Sequence, residues 1–174
     1  SFIDAHFTKP IDFIRPVIDG KLTHFYEWQQ AGQFDCAKAG STMHKAERLL
    51  SGIWFGFDEK SLYFRIDRSV TVDRKRFEGF TFLFEFFDTV KSEISIEPKS
   101  RMVMFNAQGT VNVQFALVDI LELSIPLVML STQSNTKLLV RLKILEDGQT
   151  LELWPPAESL KIELPGPDSI PWSV

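Results

Sequence analysis

The chain has 174 residues, 44% of them hydrophobic and 24% charged, with a net charge of −4 and 16 phenylalanines. That length fits one domain of ordinary size able to bury a core without staples, and the excess of Phe points to thick sheet-on-sheet packing. A negative balance with no basic run argues against nucleic acid as a partner, since phosphate binding needs clustered Lys and Arg, and Arg74-Lys75-Arg76 reads as a solvated turn.

The first twenty residues hold Pro10, Pro16 and an Asp19-Gly20 turn, so residues 1–20 read as an extended leader lying on a body formed by 21–174. A start at Ser1 followed at once by proline-punctuated sequence is expected of a fragment of a longer protein or of a processed chain. Leu22 to Trp28 is expected to form a short strand, Gln29 to Ser41 a loop, and Thr42 to Arg48 one helical turn capped by Thr42.

Residues 49–68, LLSGIWFGFDEKSLYFRIDR, carry the sharpest local signal. Ile53, Phe55 and Phe57 alternate with Trp54 and Gly56, a polar break follows at Asp58 to Ser61, and Leu62, Phe64 and Ile66 alternate with Tyr63, Arg65 and Asp67. Pairing Phe57 with Leu62 sets Phe55 opposite Phe64, Ile53 opposite Ile66, Gly56 opposite Tyr63 and Trp54 opposite Arg65. One face is then entirely apolar. The other mixes ring faces and hydrogen-bonding groups beside Gly52 and Gly56, which a core does not need.

Further along, Phe80, Phe82, Phe84 and Phe86 mark a central strand, and Lys91 to Glu97 and Arg101 to Asn106 follow on either side of Pro98. Gln108-Gly109 is expected to turn into a strand through Val111, Val113, Phe115 and Leu117, and Ile120 to Leu127 into another that Pro126 closes. Lys137 to Leu145 and Thr150 to Trp154 flank the hairpin signal Asp147-Gly148, and Leu160 to Leu164 supplies a last strand before a proline-rich tail. Nine to eleven short strands with little helix predict an all-β fold, an antiparallel β-sandwich, with a β-barrel as the alternative.

The motifs of common catalytic and metal sites are missing. His6, His24 and His44 stand in no zinc-binding spacing, and no nucleophile elbow, phosphate loop or dinucleotide fingerprint occurs. No loop has calcium-ligand spacing. Asp67 and Glu85 each interrupt an apolar strand, and for Asp67 an ion pair with Arg65 is the plain structural reading. These observations assign no catalytic residue, no metal and no cofactor, and they leave open a glycosidase carboxylate pair, which only spatial separation identifies. The single cysteine, Cys36, excludes an internal disulfide and fits a reducing compartment, or simply a domain that needs no bridge; with no signal peptide visible, a cytoplasmic location is expected. No apolar run reaches the roughly 20 residues of a membrane span, and the start lacks the pattern of a signal peptide, so no membrane partner is expected.

Aromatics are where a sandwich recognises sugars, because C–H ring faces stack on Trp and Tyr while the hydroxyls need polar partners. The candidate carbohydrate-binding residues are Trp54, Tyr63, Arg65, Asp67, Trp28 and Tyr26, with Trp154 a further aromatic to weigh. Against each stands the reading that it fills the core or covers a sheet edge. Trp54 departs from that reading most, since its cross-strand neighbour is Arg65. Trp172 is expected to pin the C-terminal tail.

Several phrases resemble the domain that follows the catalytic part of many family 57 glycoside hydrolases, the amylase and mannosidase-like enzymes. They are Ile14-x-Pro16-x-Ile18-Asp19-Gly20, Tyr26-Glu27-Trp28 with Ala31-Gly32, Met43-His44-x-Ala46, Gly56-Phe57-Asp58 with Leu62-Tyr63-Phe64-Arg65, and Trp172. The likeness is densest from Ile14 to Asp67 and thins beyond about Thr71. It implies a β-sandwich similar to DOMON-like and family 9 carbohydrate-binding modules, downstream of a catalytic domain that this chain lacks. Family 9 modules sandwich a sugar between two tryptophans; Trp28 and Trp54 are the pair on offer here, and no motif match assigns them those roles. The resemblance thus implies a non-catalytic accessory domain whose partners are the parent's catalytic domain and an oligo- or polysaccharide. The alternative is a purely structural module whose Trp54 face is buried under the leader or against the catalytic domain.

Overall fold

The computed structural model describes residues 6–22, 25–37, 48–87, 91–130 and 137–164. Thirteen strands lie among them, in two antiparallel sheets. β1 (Phe7–Thr8), β2 (Gly32–Phe34), β3 (Leu50–Phe57), β4 (Ser61–Arg68), β10 (Leu121–Pro126) and β9 (Gln114–Leu117) form a six-stranded sheet in that spatial order. The seven-stranded sheet runs β12 (Gln149–Trp154), β11 (Lys137–Glu146), β5 (Thr81–Phe87), β6 (Lys91–Glu97), β7 (Met102–Phe105), β8 (Gln108–Gly109), with β13 (Leu160–Glu163) on the free half of β11. Two short helices, α1 (Arg74–Glu78) and α2 (Leu127–Leu130), join strands. This is the predicted all-β sandwich; β1, β2 and β8, at two or three residues, are too short to show a period.

The core forms where the apolar alternations of the two sheets meet. Ile53, Phe55, Phe57, Leu62, Phe64 and Ile66 face Phe82, Phe84 and Phe86, and all are buried. Phe64 reaches across to Phe84 with ring centroids 5.0 Å apart, and the β3–β4 register pairs Phe57 with Leu62, Phe55 with Phe64 and Ile53 with Ile66 as the sequence requires. An extra residue, Ser51, loosens the register between Leu50 and Gly52.

Three expectations are corrected. Residues 25–28 form a single 3-10 turn instead of a strand, since Trp28 must turn inward to reach a buried acceptor. The expected loop from Gln29 contains β2, because Gly32 fits where an added Cβ would lie 2.7 Å from the Phe55 ring. The turn assigned to Gln108-Gly109 lies at Asn106-Ala107, both at positive φ, so Gln108 already pairs with Phe105 and Val111 is 93% exposed outside any strand. Asp147 and Gly148 do turn as expected, both left-handed. The helical turn expected at Thr42 to Arg48, His24, His44 and Trp172 fall wholly or largely outside the described residues.

Replacing Phe84 by Ala should cost about 3–5 kcal/mol by chemical denaturation, because the facing sheet cannot close on the lost ring. Val111→Ala should change stability by less than about 0.5 kcal/mol.

Candidate functional site

The strand period that sends phenylalanines inward sends Trp54, Tyr63, Arg65, Asp67 and Glu122 to the outer face of the six-stranded sheet. In register, Trp54 stands opposite Arg65, Gly56 opposite Tyr63, and Arg65 opposite Glu122 on the other side. The leader and the segment around the 3-10 turn lie over part of this face. Ile14 N–H donates to Phe57 O at 3.1 Å and Ile11 N–H to Gln30 O at 3.0 Å. Gly56 makes the room, for a Cβ there would come within 2.6 Å of Ile14 Cδ1. Ile14, Trp28, Ala31 and Tyr63 thereby form a second small apolar cluster, with Ile18 and Trp54 at its rim.

Glu122 holds this cover down. Its carboxylate is fully buried and accepts from Gly20 N–H at 2.8 Å, Asp19 N–H at 3.2 Å and Trp28 Nε1–H at 2.8 Å. Gly20, at φ 72°, supplies the left-handed backbone that this turn requires. Burial pushes the Glu122 carboxyl above its usual range, and the three donors offset only part of that shift.

Tyr63 is likewise committed, at 8% exposed, with its hydroxyl donating to Asp58 Oδ2 at 2.6 Å. Burial, with that contact, pushes its pKa up to about 12. Asp58 also accepts from Lys60 and Ser61 N–H, closing the β3–β4 turn. Beside it Arg15 reaches Glu59 at 2.9 Å, an exposed pair of little energetic weight.

The candidates therefore separate. Trp28 is 2% exposed and offers no free ring face, so it does not form one wall of a two-tryptophan sandwich. Trp154 is equally buried, its Nε1–H donating to Glu152 Oε1 at 2.8 Å. Tyr26 stands at the opposite extreme, 78% exposed on the 3-10 turn. Trp54, Arg65 and Asp67 are brought together: the Arg65 guanidinium lies 5.0 Å from the Trp54 ring centroid and grips Asp67 through Nε at 2.7 Å and Nη2 at 2.9 Å. Trp54 is half-buried, and its indole Nε1–H, turned towards Gly52, has no hydrogen-bond acceptor.

Beside this trio the cover leaves a cleft of about 290 Å³, lined by Lys21, Leu22, Trp28, Gln29, Trp54, Arg65 and Ile120. Lys21, Gln29 and Glu122 were not legible as site residues. Glu122 does leave a trace, a carboxylate inside the apolar strand Leu121-Glu122-Leu123. Glu85 is a structural ion, nearly covered, with Lys91 Nζ at 3.0 Å and Lys143 Nζ at 3.4 Å. Among the described residues no cluster of three or more His, Cys, Asp or Glu could hold a metal ion. No helix among them is long and apolar enough to cross a membrane. No protein-family model matches the chain, and no curated protein matches its sequence.

Gly56→Ala should cost about 1–3 kcal/mol in urea denaturation by displacing Ile14. Gly52→Ala, whose Cβ would meet nothing closer than 3.5 Å, should be neutral or stabilising by up to about 1 kcal/mol. Because the folded pKa of Glu122 is raised, its contribution to stability is full below the ordinary value of 4.5 and is lost as pH rises through the folded value. The stability of the wild type minus that of Glu122→Gln should accordingly fall across that window; a difference that climbs with pH would mean that hydrogen bonding outweighs desolvation.

Proposed function

We propose that this chain is a non-catalytic accessory β-sandwich that binds carbohydrate in the cleft beside Trp54, within a longer sugar-active enzyme of the family 57 type. The observation that carries the reading is the Trp54–Arg65 pair at the edge of the cover. There a half-open indole and a guanidinium with one edge left over line a recess of about 290 Å³, small but near the usual range for ligand sites. A ring face for C–H stacking and polar groups for hydroxyls are what a sugar needs. The resemblance of Ile14 to Asp67 supports the enzyme context, and the lone buried Cys36 supports a reducing, cytoplasmic one. Catalysis would then belong to a separate domain of the parent, with which this module packs.

A second reading, a structural module that binds no sugar, is favoured by one specific fact: Trp28, Tyr63 and Glu122 are all spent in holding the chain's own leader. Titration with a panel of neutral and acidic oligosaccharides, followed by tryptophan fluorescence, separates the two. Binding is expected, weakened about two- to tenfold by Trp54→Ala through loss of stacking. A silent titration, or one that Trp54→Ala leaves untouched, would favour the structural reading.

A further inference from the structure

The cleft is rich in donors and poor in acceptors, and that imbalance specifies its ligand more narrowly than the word sugar does. Lys21 presents an ammonium with no ion-pair partner among the described residues. Arg65 spends Nε and Nη2 on Asp67, so Nη1 keeps its two hydrogens. Trp28 Nε1–H is taken by Glu122. Among the described lining residues Gln29 alone has a side-chain acceptor, and none is a carboxylate.

Carboxylates do stand nearby, but each is already engaged. Glu122 accepts from Gly20 and Trp28, Asp19 accepts from Lys21 N–H at 2.9 Å, and Asp67 grips Arg65. Asp119 pairs with Arg74 and accepts from Leu22 N–H at 3.4 Å. These carboxylates lie closer to the lining than the screening length of about 8 Å and so weaken the pull on an anion, and the preference rests on the direct contacts that the free donors can make. A neutral sugar brings hydroxyl hydrogens that need acceptors, which the side chains of this wall supply only at Gln29. An acceptor-only group, by contrast, satisfies a lysine and an arginine edge at once.

Resting on the carbohydrate reading above, we infer that the cleft takes an anionic sugar, whose ring lies on Trp54 and whose carboxylate or phosphate meets Lys21 and the open edge of Arg65. Titration of the whole chain with glucose, glucuronate and glucose 6-phosphate tests this and tells the two anions apart. One or both anions should bind at least about tenfold more tightly than glucose. Added salt should erode that advantage. Lys21→Gln, a change at an exposed side chain, should remove most of it. Equal binding of all three, or an anion preference that Lys21→Gln leaves intact, would overturn the inference and leave the sugar reading standing. Failure of all three and of the oligosaccharide panel to bind would remove both.

Discussion

The carboxylate of Glu122 gathers three N–H donors from two segments of chain, and the cover over the six-stranded sheet depends on that gathering. Removing an ionised carboxylate from water is costly unless its lone pairs are met, and here Asp19, Gly20 and Trp28 meet them. The same device recurs in the seven-stranded sheet. Glu152, in Leu151-Glu152-Leu153, accepts from Leu49 N–H and from the Trp154 indole. Glu85 shows the other solution, two lysine ammoniums in place of backbone amides and an indole. Each of these glutamates ties together parts of the chain that hydrophobic burial, being non-directional, would not align.

How much of this was legible follows from the range of each signal. Strand alternation is local, so the β3–β4 pairing and the inward face of Phe82, Phe84 and Phe86 could be read residue by residue, down to Trp54 opposite Arg65. Turn chemistry was legible at Asp147-Gly148 but misplaced by two residues at Asn106-Ala107, where asparagine was the left-handed residue to notice and Ala107 gave no hint. The outer face could not be read in the same way. Trp28 and Tyr63 look like surface aromatics until Ile14 of the leader, 49 residues upstream of Tyr63, and a glutamate 94 residues beyond Trp28 are laid against them. Amphipathic rings serve a sugar or a carboxylate equally well, and only tertiary contacts decide between them.

The two uses of that outer face are not symmetrical. Where Ile14 rests on Gly56 and Tyr63, packing is close and the Tyr63 hydroxyl has its partner in Asp58. At the Trp54 end the cover gives out, and there an arginine edge and a lysine have no counter-group among the described residues. A sheet built only to be roofed would be expected to close both ends alike. The contrast sets a covered region apart from an open one on the same sheet.

The leader's anchors also impose an order on assembly. Gly20 leaves the ribosome well before the carboxylate that receives its N–H, which lies 102 residues further along. During synthesis the leader must wait, unsupported, while β3 and β4 pair and until β10 arrives to complete the surface on which it rests. The leader, made before the strands it rests on, is thus among the last parts of this domain to be fastened, and the recess beside Trp54 takes its shape only at that final closure.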